Sequence, residues 1–394
     1  MFKEYLSEQL TKCIERSING GRIMNCKKII SIVLILMLAF SMIACSNNES
    51  AGSGNVESIP NEENTTTEDA ETAEAVELEE KVVVYSTHGE AMLEMVATEF
   101  EEETGVKVEF INLKGELADR VRAEKENPQS DIMFGGSSAV FMELQEEDLF
   151  DAYKPSWSDK VDPLFKDEAD YWIGTIQTPV MIFYNSDVIS SEDAPKDWAD
   201  LTNDIYKDQL VFRNALSSSA RATYSSLLQQ YEMDANIDGG WEFLKGLDTN
   251  TKQYYSSGSL MFQAIGRQEA GISFATLNSI IDNKVKNSLP LEVVNAESGS
   301  PIITDGIALI KDAKHPNAAK AFIDFAGSAK IQALLATEFN RMPTNADAFE
   351  SSPSWMGEIK ITPMTVDWAD LSIKSSEWMQ QWDAEIKDTN KDAE

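Results

Sequence analysis

The sequence predicts an α/β protein of two lobes, each an open, mainly parallel sheet flanked by helices. Three observations carry this. Between residues 81 and 144 short β-branched runs alternate with amphipathic helical stretches, a second alternating series begins after Thr178 and Pro179, and 394 residues with 42% hydrophobic content suffice for two or three buried cores.

In the first series Lys81 to Tyr85 (KVVVY) is a buried strand and Ser86 to Gly89 a loop. Leu93, Val96, Ala97 and Phe100 make one apolar helical face, which Gly105 can cap. Val106 to Ile111 is a second strand, and Gly115 to Glu126 a helix ended by Asn127 and Pro128. Asp131 to Phe134 is a third strand, followed by the loop Gly135 to Ser138 and a helix bearing Val140, Phe141 and Leu144. With strand order 2-1-3, the sheet reverses between the first and third strands, so the loops Ser86 to Gly89 and Gly135 to Ser138 flank the ligand crevice.

The second series starts with the strand Val180 to Tyr184 (VMIFY). Leu210 to Arg213 is a short strand that leads through Asn214 to Ser219 into a helix with Tyr224, Leu227, Leu228 and Tyr231 on one face. Gly271 to Phe274 is a further strand, Pro301 to Ile310 the return crossing, and Asn317 to Ala326 a helix interrupted at Gly327. The expected division is lobe 1 from 81–179 and 302–345, lobe 2 from 180–301, and a C-terminal helical segment, 346–394, pinned to the lobes by Trp378 and Trp382 at i and i+4.

Small or hydroxylated residues stand at the predicted starts of three helices. Unpaired N–H groups and the positive helix end suit a carboxylate, phosphate or phosphonate there. The expected contacts are Ser86, Thr87 and His88, then Gly136, Ser137 and Ser138, then Ser218, Ser219 and Arg221, whose guanidinium can grip an oxyanion with two parallel bonds. Tyr255, Asn278 and Asp305 are further contacts. N-capping alone also accounts for serine at a helix start. His88 reads equally as a contact or a surface residue, and His315, before Pro316, as an exposed turn residue.

Cys13, Cys26 and Cys45 are the only cysteines, which excludes a disulfide framework or thiolate metal site beyond residue 45. The apolar run Ile29 to Ala44 follows Lys27 and Lys28; it is short for a membrane span and fits a signal-peptide core. Residues 1–45 therefore read as a signal peptide. Met24 offers an alternative start, with 1–23 then outside the natural chain. Residues 46–80 carry eleven acidic side chains and no Lys or Arg, an acidic tether too polar to order itself. The net charge of −34, of which −26 falls on residues 81–394, opposes general nucleic-acid binding. No zinc-site spacing occurs, and Ser217 to Ser219 lack a G-x-S-x-G context.

Met42, Ile43, Ala44 and Cys45 resemble the lipobox of bacterial lipoproteins, which implies lipidation at Cys45 and an address on the extracellular face of the cell membrane, periplasmic if an outer membrane exists. VVVYSTHGE, ETGVKVEF, SDIMFGGSS, PKDWADLTNDIYKDQLVFRNALSSSA, DGIALIKDAKHPNAAKAFIDF and RMPTNAD together resemble the extracellular solute-binding proteins of ABC importers, in the branch of ferric-iron, phosphonate and sugar-phosphate binders. The resemblance implies the type II periplasmic-binding-protein fold, two lobes closing on a ligand, and docking on an ABC permease.

Iron-binding members place a histidine after the first strand, where His88 stands, and a tyrosine pair where this chain has Phe274, Ala275, Thr276 and Leu277. The expected function is therefore capture of a small polar solute, an organic anion such as a phosphonate or sugar phosphate, by a monomer with no cofactor, no resident metal and no enzymatic activity. Ferric iron or an iron chelate held with His88 is the alternative ligand. A surface hydrolase using His88, or a sensory or adhesive lipoprotein, are the readings from other classes.

Overall fold

Val82 and Val84 are fully buried on β1 (Lys81–Ser86), and the parallel strands beside it are β2 (Lys107–Asn112) and β3 (Ile132–Ser137). The order β2-β1-β3 is the one the sequence predicts. The computed structural model describes residues 77–393; the leader, Cys45 and nearly all of the tether lie outside the described residues.

Side chains alternate across this sheet, and each face meets helices. Val82, Val84, Ile132 and Phe134 pack under α1 (Glu90–Thr104), whose Val96 and Phe100 they meet. On the opposite face Tyr85 and Met133 pack with Leu117 and Val121 of α2 (Leu117–Ala123) and with Phe141 and Leu144 of α3 (Ser138–Glu146). β4 (Phe150–Asp151) edges the sheet.

The next strand, β5 (Ile173–Asn185), belongs to both sheets. Its first half, through Pro179, pairs antiparallel with β10 (Ile302–Ile310), and from Val180 onward it pairs with β8 (Ile272–Thr276) and β9 (Leu291–Val294). The sequence shows only the apolar second half as a strand. The first half escapes because Gly174, Thr175, Gln177 and Thr178 break its apolar pattern, although backbone pairing with β10 holds it extended.

The second sheet continues with the parallel strands β6 (Leu210–Arg213) and β7 (Thr251–Tyr255). One face buries Ile182, Phe212 and Phe274 against α4 (Ser218–Met233) and α5 (Ile237–Asn250); the other buries Met181, Phe183 and Val211 against α6 (Gly258–Gly266) and α7 (Leu277–Lys286). α5 is missed from sequence because it holds Gly239, Gly240 and Gly246, poor helix formers. Gly240 sits at a tight contact: a Cβ would stand 3.0 Å from Tyr231 Cβ on α4.

After β10 come α8 (Pro316–Ala326), α9 (Ala329–Phe339), the short β11 (Met342–Pro343), α10 (Trp355–Glu358) and α11 (Trp368–Glu385). Gly327 breaks α8 from α9 where the Trp157 ring covers the turn. Gln332 Oε1 accepts from the backbone N–H of Thr344 (2.8 Å) and Asn345 (2.9 Å), which ties the RMPTNAD segment to α9. Trp382 is buried in the second lobe's core, stacked 4.8 Å from Tyr224. His315 differs from its expectation as an exposed turn residue: its Nδ1 stands 2.8 Å from Oδ2 of buried Asp131, which joins α8 to the start of β3.

Candidate functional site

β1 and β3 end side by side, so the loop after β1 meets the turn into α3. Two glycines make this approach possible. Gly135 and Gly136 have φ of +96° and +107°, and a Cβ on Gly135 would lie 2.6 Å from Thr87 Oγ1 and 2.8 Å from His88 Nε2. Ser86 is buried and donates to the Phe134 carbonyl at 2.5 Å while accepting from His88 N–H at 3.1 Å. It locks the two loops together rather than facing outward.

These loops open onto a cavity of about 550 Å³ between the lobes. Lobe 1 lines it with Thr87, Gly136, Ser137, Met133 and Val140, and lobe 2 with Ser218, Arg221 and Ser225 of α4. Ile303 and Asp305 of β10 form part of its wall, and α11 supplies Trp368, Leu371, Ser372 and Ser375. A smaller cavity of about 140 Å³ on lobe 1, walled largely by charged side chains such as Glu124, Lys125 and Lys311, has no helix start in it.

The polar groups of the cleft have distinct environments. Ser137 and Ser217 occupy the N-cap positions of α3 and α4, yet neither side chain makes a capping hydrogen bond. Capping therefore does not account for them. Arg221, one turn into α4, donates from Nε to the Ala215 carbonyl at 3.3 Å. Asp305 accepts from Arg341 Nη2 at 2.7 Å and from Thr178 Oγ1 at 3.4 Å. Burial raises its carboxyl above the ordinary value, with Arg341 opposing. His88 is 6% exposed, stands edge-on to Phe134, and has no partner for Nε2. Burial, then the Arg341 charge, lowers it to about 3, so it is neutral at ordinary pH.

The sequence matches the family of bacterial extracellular solute-binding proteins over residues 127–371, more than half its length. The chain belongs to that family. It is 28% identical over 321 residues to a probable ABC transporter periplasmic-binding protein of Sinorhizobium fredii, covering 79% of this chain and 87% of the relative. Among solved structures it resembles apo ferric ion-binding protein A of Pasteurella haemolytica with a TM-score of 0.68, at 21% identity, over 79% of this chain and 99% of the other. It also resembles AfuA of Actinobacillus pleuropneumoniae, solved with exogenous fructose-6-phosphate, with a TM-score of 0.60, at 24% identity, over 78% and 98%. These neighbours share the two-lobe periplasmic-binding-protein fold.

In this solute-binding protein the cleft brings together Thr87, Gly136, Ser137, Ser218, Arg221 and Asp305 from the expected set. The others lie elsewhere. Ser86 and His88 sit beneath the loop. Ser138 is buried with an unpartnered Oγ, and Ser219 turns its Oγ toward Ser217 Oγ at 3.3 Å. Tyr255 is packed in the second lobe's core and donates to Gln253 Oε1 at 3.0 Å. Asn278 borders a narrow crevice with Asn340 and Arg341. The lining residues missed from sequence include Met133, Val140, Ser225, Ile303 and the whole contribution of α11, and Arg341 was missed as the partner of Asp305. Only α11 left a local signal, the N-cap Asp367 before an amphipathic run, and that signal marks a helix without marking a cleft wall.

Proposed function

We propose that this ABC-importer binding protein captures a small organic anion, such as a phosphonate or sugar phosphate, in the inter-lobe cleft. One observation carries the reading: Ser137 at the start of α3, and Ser218 and Arg221 in the first turn of α4, line one cavity from opposite lobes. An anion there would be held by a charge-assisted bond from Arg221 and by free N–H groups of α3 and α4, drawing the lobes together. The −26 charge of residues 81–394 repels anions at range, so local geometry has to supply affinity.

The protein acts as a monomer at the outer face of the membrane, held by lipid on Cys45, and passes its solute to a permease. Loss of membrane association on Cys45→Ala is the corresponding test. A second ligand, ferric iron, has His88 on its side because buried Nε2 lacks a partner. Among the described residues no three His, Cys, Asp or Glu side chains stand together to hold a metal ion. Iron would therefore arrive as a chelate whose own ligands supply the remaining donors.

Thermal shift of the purified protein against phosphonates, sugar phosphates, carboxylates and ferric citrate tests these readings. Stabilisation by a phosphonate or sugar phosphate that Arg221→Ala abolishes supports the first. Stabilisation by ferric citrate alone supports the second, and silence from every anion removes both.

A further inference from the structure

The cleft is lined by both polar and apolar groups, the apolar ones predominating. Thr87, Ser137, Ser218 and Arg221 gather near the two helix starts, whereas Met133 and Val140 of lobe 1, Ile303 of β10, and Trp368 and Leu371 of α11 are hydrocarbon or aromatic walls. A ligand clothed in hydroxyls would bury several of them against such walls without partners, at about 1–3 kcal/mol for each unsatisfied group. A ligand with an apolar body would instead remove its own and the walls' apolar surface from water.

The α11 wall is held in place before any ligand arrives. Asp367 caps α11 by accepting from Asp370 N–H at 3.0 Å, and its own N–H donates to Gln229 Oε1 on α4 at 2.9 Å. Gln229 Nε2 donates in return to the Asp367 carbonyl at 3.0 Å, and Lys374 Nζ stands 2.8 Å from Glu232 Oε2. The first turn of α11, with Trp368 and Leu371, is thus fastened to lobe 2, while the same helix packs against α3 of lobe 1. Between the apolar walls and α4, Ser225 lines the cleft with a buried hydroxyl that has no hydrogen-bond partner. With Ser372 and Ser375 of α11, the first of which already donates to the Ala369 carbonyl at 2.7 Å, it leaves few directional contacts for a polyol among these apolar walls.

We infer that the solute is an amphiphilic anion, a phosphoryl or carboxylate group on an apolar body, with the oxyanion at Arg221 and the apolar body against Trp368, Leu371 and Val140. The inference rests on the anion-binding reading and names the chemistry of that same cleft. Trp368 on α11 and Val140 on α3 of lobe 1 are then the specificity-determining residues.

Calorimetric titration of the full chain with phenylphosphonate, glycerol 3-phosphate and inorganic phosphate tests it. Phenylphosphonate should bind at least about ten-fold tighter than glycerol 3-phosphate. Trp368→Ser should weaken phenylphosphonate about ten-fold more than it weakens inorganic phosphate, and Val140→Ser, which leaves α11 intact, should show the same split in smaller degree. Glycerol 3-phosphate binding as tightly as phenylphosphonate overturns the inference while leaving the anion reading standing. So does equal weakening of all three ligands by both variants. If none of the three binds, the anion reading itself has failed and the inference goes with it.

Discussion

Arg341 Nη2 lies 2.7 Å from Asp305 Oδ2, and this pair sits where β10, the return crossing between lobes, borders the cleft. Asp305 would otherwise present a bare carboxylate to an arriving anion. Arg341 cancels that charge from the segment that follows α9, and leaves Arg221 as the cation the cleft offers.

Removing the cation should therefore cost stability as well as binding. Arg341→Leu leaves a carboxylate largely buried and unpaired, and because both side chains keep about a fifth of their exposure the loss should be about 2 kcal/mol, below that of a fully buried pair. Asp305 already has a raised folded-state pKa, which rises further without Arg341. A raised carboxyl binds protons in the folded state first, so acid favours folding of the variant and its deficit should shrink as pH falls from 7 toward 4. Urea unfolding at several pH values checks this, and Asp305→Asn in the same background should restore most of the loss.

His88 predicts the opposite slope. Its folded value of about 3 lies below the ordinary 6.5, so the unfolded chain takes up a proton first and stability is lost as pH falls through 6.5 toward 3. Between pH 7 and pH 5 this group alone should remove about 2 kcal/mol. His88→Gln lacks that loss, so the stability gap between variant and wild type should close by a similar amount over the same interval. A gap that stays constant would show that His88 is solvated.

Ser137→Ala separates capping from binding. An N-cap serine that makes its bond contributes about 1 kcal/mol, but this hydroxyl makes none. The variant should change stability by less than about 0.5 kcal/mol, while anion affinity measured by calorimetry falls about ten-fold. A full loss of capping energy with unchanged affinity would reverse the assignment.

Gly327→Ala tests the packing between α8 and α9. A Cβ there would stand 1.9 Å from the Trp157 ring, whose Nε1–H donates to the Ile323 carbonyl at 3.1 Å and so holds the indole in place. The overpacking should cost about 3 kcal/mol, read as a lower urea midpoint with no change in slope.

Much of the fold was legible because its signals are local. KVVVY, the helical face of Leu93 to Phe100 and the strand VMIFY each announce themselves through the period of their own apolar residues. The first half of β5 gave no such signal, since Thr175, Gln177 and Thr178 are polar and their extended conformation comes from β10, more than a hundred residues away. For the site, the glycine and serine turns pointed to the loops, and six of the expected contacts do line one cavity. Tyr255 and Asn278 were placed by sequence neighbourhood alone, and the packing of the second lobe turns them elsewhere.

The sequence by itself determined the two alternating series, the acidic character and the helix-start serines, because composition, periodicity and turn chemistry act between near neighbours. Only the tertiary structure decided which serines face the cleft, that Asp305 is neutralised by Arg341, and that α11 forms a wall of the cavity. Those facts depend on which distant surfaces meet, and close packing of two cores around shared strands fixes that, with no trace in the spacing of any one segment.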